Sequence, residues 1–470
     1  MAVYDRVVRV LGLVLVAACG RISFDAAADA RGGDGSRDGA GDVATDGPSR
    51  FGTFAGMGGG MALAVSGAEN DLVVGGWLTS PTDLGGGTLP YVAGFDLFVA
   101  QYSEAGELRW ARALGSTGDD YVNDVATDAN GNVYIVGGMG GPIDFGGGMV
   151  SPSGDTDAYI ASYTSTGTFR WAQRIGTATV GALDSGHSVA VGPTEVVVTG
   201  LTQNVADAGG PSFDCTGAAQ TMFIAAFSPT GTHLWSTCYG TASYNSARGV
   251  AADPTGNIYI TGYYGTAITF GASVMLPSPS GLDVFVASFA SSGTPRWAHA
   301  FGGTSDDWGN KLAVDAAGNV TATGLFTGTA NPGGGAIIAS GGNDAYFVSY
   351  SSGGVYRWQR RFGGSGCDQG RHVTVDAAGD VYVAGVMSGT DTLGGTALTA
   401  VGPQDGFIGH LASDGTHKAS FTVGGSQNDW VQEVVAVPTG LIATGRVDSS
   451  TSACTNQSES TAGSAFLDRF

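Results

Sequence analysis

The feature that most constrains the fold of this chain is a repeated sequence pattern that runs through almost its whole length. Tryptophans mark the pattern about every 60 residues. They are Trp110, Trp171, Trp235, Trp297 and Trp358, with a degenerate copy near Lys418 and Ala419. A second marker, of the form Asp-x-Phe-Val-Ala-x-Tyr, recurs at the same spacing, as in residues 96–102 and 344–350. A repeat of this length is one supersecondary unit, and neighbouring units bury a shared core.

Each repeat contains four short runs of Val, Ile, Tyr and Phe, which are typical of short β-strands. We label these runs a to d; examples are Leu312–Val314 (a), Val133–Val136 (b), Phe98–Tyr102 (c) and Arg109–Leu114 (d). The a–b link at residues 128–132, Asp-Ala-Asn-Gly-Asn, predicts a tight turn with glycine at a positive φ. Four antiparallel strands per repeat, without helices, form a blade of a β-propeller.

The number of strands predicts how the ring of blades closes. Strands a, b and c each occur in seven copies, but only six good copies of strand d are present, because the last repeat stops at Phe470. Residues near 48 to 53 read like the end of a d strand and are predicted to complete the last blade as its outer strand. The predicted fold class is all-β: a seven-bladed β-propeller of four-stranded antiparallel blades, closed by an N-terminal strand. An open solenoid of the same repeats is the alternative.

The repeat sequence resembles the bacterial β-propeller repeat family known as SBBP. The segments that carry the resemblance are residues 315–320, 145–148, 283–287 and 297–303. The resemblance extends over roughly residues 50–470 and implies a propeller. It implies little about activity, because propellers host many functions.

Residues 1–19 have the features of a targeting segment. Arg6 and Arg9 precede an apolar run that is too short to span a membrane as a helix. The run ends in Val-Ala-Ala-Cys at residues 16–19, which resembles the lipobox of bacterial lipoproteins and implies that Cys19 becomes the lipidated first residue. An ordinary signal peptide with a chance cysteine is the alternative. Gly20, in place of Asp, implies by the same resemblance export to the outer membrane or cell surface of a Gram-negative bacterium.

The domain organisation and the charge restrict the partners. Residues 20–47, rich in Ala, Gly and Asp, are expected to be a disordered tether, and residues 48–470 form the propeller. An N-terminal lipid would be the membrane attachment.

The formal charge of −21 argues against nucleic acid, because phosphate binding needs a basic surface. It favours solubility or cation binding; Ca²⁺ is the one cofactor candidate, and the chain is expected to be a monomer.

Four cysteines remain after Cys19, an even number that suggests two disulfides in an exported protein. Cys215 in a b–c loop and Cys238 near the end of a d strand are expected on one face of one blade, which predicts a bond between them. Cys367 and Cys454 are the second predicted pair, although their loops lie about a blade apart.

The d–a and b–c loops are expected to share the face of the disc that carries any ligand, because these loops are longer than the a–b and c–d turns. A polar residue recurs in the d–a loops, and a ring of such residues at the channel mouth would suit a cation or a polyhydroxyl ligand. The alternative is structural, with each side chain accepting N–H bonds from its own loop. The residues are Asp120, Asp184, Asn245, Asp307, Asp368 and Asp429, with Gly58 in the first repeat.

Aromatic residues follow three of these positions: Tyr121, Trp308 and Trp430. They are expected either to stack on sugar rings or to wedge between neighbouring blades. His187 and His372 follow Asp184 and Asp368 and would allow acid–base chemistry, with a structural role as the alternative.

These observations favour a non-catalytic binding or scaffold module for a protein or a polysaccharide. Two alternatives remain. One is a polysaccharide lyase or hydrolase that uses inner-ring Asp and His residues. The other is a structural envelope protein without a specific ligand.

Overall fold

The β-strands of the chain form seven sheets around a central axis, as the repeat pattern predicts. The computed structural model describes residues 53–54, 62–66, 70–215, 220–240, 244–271, 274–438, 440–449 and 464–470. Every helix or strand assigned within these residues is a β-strand. In the same part of the chain, no helix is long and apolar enough to cross a membrane.

Blades 1 to 3 each contain antiparallel strands a, b, c and d in chain order, numbered here along the chain. Blade 1 consists of β2 (Ala62–Ser66), β3 (Asp71–Leu78), β6 (Asp96–Tyr102) and β7 (Leu108–Leu114). Blade 2 consists of β8 (Asp120–Thr127), β9 (Val133–Met139), β12 (Asp157–Tyr163) and β13 (Phe169–Thr177). Blade 3 consists of β14 (Ser185–Val191), β15 (Val196–Thr202), β18 (Thr221–Phe227) and β19 (His233–Tyr239).

Blades 4 to 6 repeat this order. Blade 4 consists of β20 (Ser246–Ala252), β21 (Ile258–Tyr264), β24 (Asp283–Phe289) and β25 (Pro295–Phe301). Blade 5 consists of β26 (Trp308–Val314), β27 (Val320–Ala330), β28 (Ile337–Tyr350) and β29 (Tyr356–Phe362). Blade 6 consists of β30 (Gln369–Val375), β31 (Val381–Met387), β34 (Asp405–Leu411) and β35 (His417–Val423).

Blade 7 joins the two ends of the propeller. Its strands are β36 (Asn428–Val437), β37 (Gly440–Ser449), β38 (Ser464–Arg469) and β1 (Thr53–Phe54). Thr53 pairs with Phe466 and Phe54 with Ala465, in antiparallel register. The predicted closure by an N-terminal outer strand is therefore confirmed at these two residues, while residues 48–52 lie outside the described part of the chain.

Short hairpins between strands b and c are an addition that the sequence did not predict. They arise where the glycine-rich segments reverse direction, and one extends β27 and β28 of blade 5. In blade 2, Asp144 holds the reversal by accepting the N–H groups of Gly146 (2.8 Å) and Gly148 (2.9 Å). The other hairpin strands are β4 (Thr82–Asp83), β5 (Thr88–Leu89), β10 (Ile143–Asp144), β11 (Met149–Val150), β16 (Asn204–Asp207), β17 (Phe213–Cys215), β22 (Ile268–Gly271), β23 (Val274–Leu276), β32 (Thr390–Asp391) and β33 (Leu398–Thr399).

The core lies between neighbouring blades, and strands b and c supply most of it. All seven residues of β12 are buried, whereas most of the outer strand β13 is partly exposed. Phe223 of blade 3 packs in one cluster with Ile160 of blade 2. The same arrangement closes the ring, since Leu467 of blade 7 shares a cluster with Phe98 of blade 1. Strands a contact the a strands of both adjacent blades and therefore line the axis.

The repeated tryptophans of the d strands connect each blade to the next. Every one of them donates its indole N–H to a backbone carbonyl in the c–d turn of the following blade. The pairs are Trp110 with Ser165 (3.1 Å), Trp171 with Pro229 (3.1 Å), Trp235 with Ser291 (2.8 Å), Trp297 with Ser352 (2.9 Å) and Trp358 with Ser413 (2.9 Å).

The degenerate sixth repeat, where Ala419 replaces tryptophan, has a structural explanation. Ala419 lies on β35 of blade 6 and would face the c–d turn of blade 7. Blade 7 takes its outer strand from β1 rather than from a hairpin with β38, so no c–d turn connects these two strands. At the next seam, Arg469 of blade 7 donates to the carbonyl of Glu104 in the c–d turn of blade 1 (2.7 Å).

Candidate functional site

The predicted polar ring lies in the d–a loops, and each of its described side chains is almost completely buried. Asp307 is representative: its two carboxylate oxygens accept the N–H groups of Gly303 (2.7 Å) and Thr327 (2.7 Å). One contact holds its own d–a loop, and the other holds the end of strand b. Asp120, Asp184 and Asp368 accept the same two kinds of bond, Asp429 accepts the N–H of Gly425, and Asn245 accepts that of Gly265.

These bonds are the ones expected from the structural interpretation of the ring. A carboxylate that accepts two backbone N–H groups inside the protein fixes the loop that supplies them. The side chains therefore lie inside the loops rather than at a channel mouth. Gly58, the member from the first repeat, lies outside the described residues.

A second aspartate, at the start of strand c, faces several members of this ring. Asp283 and Asp307 both approach Gly302: a Cβ placed there would stand 2.5 Å from Asp283 Oδ1 and 2.6 Å from Asp307 Oδ2. Burial raises the pKa of Asp283 to about 6 and, with the negative charge of Asp283 added, that of Asp307 to about 7. The Oδ1 atom of Asp283 is buried and accepts no hydrogen bond. Such a pair retains a proton near neutral pH.

The same arrangement recurs around the disc. Burial raises the pKa of Asp184 and of Asp368 to about 6, and a neighbouring strand-c aspartate adds to both shifts. The strand-c partners are Asp157 and Asp344, whose Oδ1 atoms are also buried without a hydrogen bond. At the seam that leads into blade 4, Thr221 and Asn245 occupy the two positions, so this pair carries no charge.

The three predicted aromatic residues begin or lie near the start of innermost strands, and each contacts the preceding blade. Trp308 stacks on Tyr263, with ring centroids 5.5 Å apart. Tyr121 meets the edge of Trp77 at 6.4 Å. The guanidinium of Arg371 lies 5.4 Å from the ring centroid of Trp430. These contacts are those of side chains wedged between blades.

A belt of polar side chains inside the channel is the main feature that sequence reasoning missed. The innermost strands of blades 2 to 7 each contain a β-bulge, and the extra residue is polar in every one. These residues are Asn123, His187, Arg248, Asn310, Arg371 and Gln432. Aligning the repeats would have found them, since a polar residue recurs at this position of the innermost strand in six blades.

The belt joins neighbouring blades. Asn123 donates its amide N–H to the carbonyl of Gly186 (2.8 Å), and Asn310 donates to that of Gly370 (2.8 Å). Arg371 donates to the Gln432 side chain (2.6 Å). The bulge residues therefore hold the inner edges of the blades together.

Lys311, one of only two lysines in the chain, crosses the channel from blade 5. Its ammonium lies 2.9 Å from Asp124 Oδ2 of blade 2 and 3.5 Å from Glu433 Oε1 of blade 7. Burial alone would lower the pKa of Lys311, but the two carboxylates raise it above its usual value. Burial raises the pKa of Glu433 to about 8, against the opposing effect of Lys311.

The two carboxylates of this network also bind neighbouring blades. Asp124 accepts the Ser188 hydroxyl (2.5 Å) and the Val189 N–H (3.1 Å) of blade 3. Glu433 accepts the N–H of Leu63 in blade 1 (2.6 Å), across the seam where the ring closes. Apart from the bond that Asp124 accepts from the N–H of Val125 in its own strand, the polar contacts found for these three side chains link blades.

The predicted acid–base pairs are not brought together. His187 is bonded to the Ser246 hydroxyl (3.0 Å), and His372 accepts the N–H of Val434 (3.4 Å). Burial lowers the pKa of both imidazoles to about 3, and the positive charge of Lys311 contributes to both shifts. Both histidines are therefore neutral at physiological pH. The carboxylate of Asp184 is bonded to backbone N–H groups instead.

A concave opening lies on the face of the a–b turns, opposite the face expected to carry a ligand. This opening, which we call the funnel, has a volume of about 720 Å³. Side chains of Val191, Ala252 and Val314, at the ends of innermost strands, form its floor. The residues at its rim carry small side chains. The rim residues are Ala129, Pro193, Pro254, Ala316 and Ala377.

The aspartates that begin the a–b turns also line the funnel. Asp253 accepts the N–H groups of Thr255 (2.8 Å) and Asn257 (2.9 Å) and the hydroxyl of Tyr259 (2.9 Å). Asp315 accepts the equivalent two backbone bonds in its own turn. The sequence prediction that these segments are tight turns is confirmed.

The predicted bond between Cys215 and Cys238 is confirmed, with their Cα atoms 5.6 Å apart. It fastens the b–c hairpin of blade 3 to the outer strand of the same blade. Cys367 is also disulfide-bonded. Its predicted partner, Cys454, lies outside the described residues, as does Cys19.

Comparison with known proteins finds the repeat in two places. The family model described as beta-propeller repeat (SBBP) matches residues 109–137 and 234–263. Both segments run from a d strand through the next innermost strand into strand b. The chain thus has β-propeller repeats, and we refer to it below as the repeat protein. The seven-bladed form of the repeat protein follows from its own strand pairing.

Among curated proteins, the repeat protein is similar to an uncharacterised WD repeat-containing protein of Acanthamoeba polyphaga mimivirus. The two are 22% identical over 365 residues, which is 62% of this chain and 26% of the viral protein. The chain thus spans about a quarter of the length of the relative that it matches.

Solved structures similar to the repeat protein include two of nearly equal extent. Sqt1 from Chaetomium thermophilum matches with a TM-score of 0.45 at 10% identity, over 90% of this chain and 99% of that one. The WD40 β-propeller domain of Doa1 matches with a TM-score of 0.43 at 10% identity, over 89% of this chain and 97% of that one.

Proposed function

We propose that this β-propeller repeat protein is a non-catalytic binding module that engages a protein partner through the funnel. The observation that carries the proposal is the composition of the funnel rim. Five successive blades present an Ala or Pro at equivalent positions, and all five side chains are exposed around one concave space. Exposed small apolar side chains around a concavity are a typical contact surface for another protein.

The residues on which the enzymatic alternative depended are engaged in other contacts. A lyase or hydrolase would need a carboxylate and a second acid–base group facing a common space. The described inner-ring aspartates are bonded to loop N–H groups, and His187 and His372 are partly buried and neutral. Lys311, Asp124 and Glu433 satisfy one another across the channel.

The funnel suits a protein better than a polysaccharide. Sugar rings are commonly bound by flat aromatic side chains. Among the described residues that line the funnel there is no Trp, Tyr, Phe or His. Aliphatic floor residues such as Val191 and Val314 match the side chains of a protein loop instead.

The N-terminal segment adds a location to the proposal. A lipid on Cys19 and a tether over residues 20–47 would hold the propeller at the outer membrane or cell surface of a Gram-negative bacterium, where it would display the funnel to a partner. Incorporation of tritiated palmitate into the full-length chain, and its loss in Cys19→Ala, tests this location. An unlabelled wild-type chain would contradict it.

Selection from a random dodecapeptide phage library on the purified protein tests the binding function. We expect selected peptides to lose affinity for the rim variant Pro254→Arg/Ala316→Arg by at least about tenfold, because two bulky charged side chains would occupy the funnel. Val180→Arg is the matched control, since Val180 is 86% exposed in a d–a loop on the other face. Binders that respond only to the control variant, or a glycan array that gives ligands while the library gives none, would contradict the proposal.

A further inference from the structure

We propose that the partner segment bound in the funnel is basic, so that a Lys or Arg side chain enters the funnel while an adjacent aliphatic residue packs on its floor. This inference rests on the proposed function and adds the chemistry of the partner. Three features of the funnel support it: a collar of aspartates, a buried carboxylate oxygen beside the lining residue Gly192, and the kinds of residue that line it.

The collar consists of the aspartates that begin the a–b turns of blades 2, 4, 5 and 6. They occupy equivalent positions, so they surround the funnel at one level. Each is held by hydrogen bonds from its own turn, which prevents the carboxylate from rotating away. The collar residues are Asp128, Asp253, Asp315 and Asp376.

The turn that holds Asp253 also lowers the pKa of its carboxyl group. Burial would raise the pKa of Asp253, but hydrogen bonds from Thr255, Asn257 and Tyr259 lower it to about 2. By contrast, the pKa of Asp307 is raised to about 7. The collar places four carboxylates around the funnel. A concave surface lined with one sign of charge concentrates that field and attracts the opposite charge.

Glu195 supplies the second feature, in the a–b turn of blade 3. The residue is only 1% exposed, and its Oε1 accepts no hydrogen bond. This oxygen would lie 2.6 Å from a Cβ on Gly192, a residue that lines the funnel, and 3.5 Å from one on Gly256 in the next turn. A buried carboxylate oxygen without a donor is costly. A donor group entering beside Gly192 would satisfy it.

The lining supplies the third feature. Four of the described lining residues are Asp, and none is Lys, Arg or His. The arginines close to these turns approach from the outer strands: Arg170 donates to the Pro229 carbonyl (2.9 Å), and Arg296 donates to the Ser288 hydroxyl (2.8 Å). The described lining of the funnel therefore supplies no cation, and charge complementarity favours a basic occupant.

A side-chain cation fits this space better than a metal ion. A Ca²⁺ site needs six or more oxygen ligands around one point. In the described part of the chain, no three His, Cys, Asp or Glu side chains are grouped closely enough to hold a metal. The funnel floor is aliphatic, with Val191, Val314 and Val375. A long cationic side chain beside an apolar residue matches both the collar and the floor.

The test uses the dodecapeptides that bind wild-type protein and fail to bind Pro254→Arg/Ala316→Arg. We expect Lys and Arg to be enriched in them over the unselected library. Replacing these basic residues by Gln should weaken binding at least about tenfold, and raising NaCl from 50 to 300 mM should weaken it further. Rim-dependent peptides that lack basic residues would overturn this inference and leave the proposed function intact. A library without rim-dependent peptides would overturn both.

A collar variant provides the matched measurement on the protein. Asn keeps the turn-holding acceptor of Asp, so Asp315→Asn/Asp376→Asn should fold normally and weaken a basic peptide about tenfold. The control Asp155→Asn/Asp306→Asn removes the same charge from exposed loops of the other face and should change affinity less than twofold. Equal losses in the two variants would indicate only long-range attraction to an acidic protein and would overturn the inference.

Discussion

Trp358 donates its indole N–H to the backbone carbonyl of Ser413 in the next blade at 2.9 Å, and the glycine two residues further on lies against the face of the same ring. Gly415 has a φ of +81°, and a Cβ at this position would stand 2.6 Å from Trp358 Cδ2. The tryptophan that makes the repeat recognisable in the sequence is therefore the residue that joins one repeat to the next.

The contact between Trp358 and the next blade predicts separate effects of its hydrogen bond and of its packing on stability. Trp358→Phe keeps most of the ring packing but loses the hydrogen bond, and should lower the free energy of unfolding by about 1 kcal/mol. Trp358→Ala also loses the packing, and should cost about 3–5 kcal/mol. Urea unfolding measures both. Leu234→Ala, at a 49% exposed position on another outer strand, is the control and should cost less than about 0.5 kcal/mol. Equal losses in Phe and Ala variants would contradict a separate contribution from packing.

The buried aspartate pairs predict that the propeller is more stable in mild acid than in mild base. The pKa values of Asp184, Asp307 and Asp368 in the folded protein are about 6 to 7, above the value of 3.8 for an unperturbed Asp. A group whose pKa is raised in the folded protein stabilises the fold fully at a pH below its pKa in the unfolded chain. This stabilisation is lost as the pH rises through the pKa of the group in the folded protein. We therefore expect the Tm to fall from pH 5 to pH 8, measured by differential scanning calorimetry.

Asp307→Asn tests the origin of that slope. Since Asn cannot titrate, the variant should lose less Tm between pH 5 and pH 8 than the wild type. The Thr221/Asn245 pair shows that the fold accommodates a neutral pair at this position. Asp155→Asn, at an exposed site, is the control and should retain the full slope. An unchanged slope in Asp307→Asn would mean that other groups take up the proton.

The structural features that lie within a single repeat could be predicted from the sequence. The blade number, the four strands of each blade and the closing strand follow from patterns that recur within a repeat. The Cys215–Cys238 bond was also predictable, because both residues lie in one blade. The hairpin β10–β11 was missed because its glycine-rich sequence reads as a loop, although Asp144 organises it through two backbone bonds.

Contacts between distant repeats were not predictable. Lys311 occupies a position where other blades carry Asp124, Ser188 or Glu433, and only the closed ring brings these side chains together. A periodic pattern records what repeats share, whereas this network depends on how single repeats differ. Loop length favoured the face of the d–a and b–c loops as the ligand-binding face, which stays a prediction. The funnel on the face of the a–b turns was not predicted, because it depends on small side chains at equivalent positions of five blades.

The disulfide predicts a local loss of stability. Cys215→Ser/Cys238→Ser should lower the free energy of unfolding by about 3 kcal/mol, since the bond closes a loop of moderate length in the unfolded chain. Urea unfolding under oxidising conditions measures this loss, with the second disulfide left intact. Reductant should then lower the stability of the wild type by more than that of the variant. An equal effect of reductant on both proteins would contradict the contribution of the Cys215–Cys238 bond.

The channel network makes the last prediction. Lys311→Met removes the cation that joins Asp124 of blade 2 to Glu433 of blade 7, and leaves two buried carboxylates near each other. Removing one partner of a buried ion pair lowers the free energy of unfolding by about 3–5 kcal/mol. Because the uncompensated charge is the main cost, Lys311→Met/Glu433→Gln should recover part of this loss, whereas Lys311→Met/Asp155→Asn, which removes an exposed charge, should not. Urea unfolding of the single and double variants at pH 7 and pH 9 measures the difference, which should grow with pH because burial raises the pKa of Glu433 above its ordinary value. A double variant with Gln at 433 that is no more stable than Lys311→Met at either pH would show that the uncompensated carboxylate of Glu433 is not the main cost.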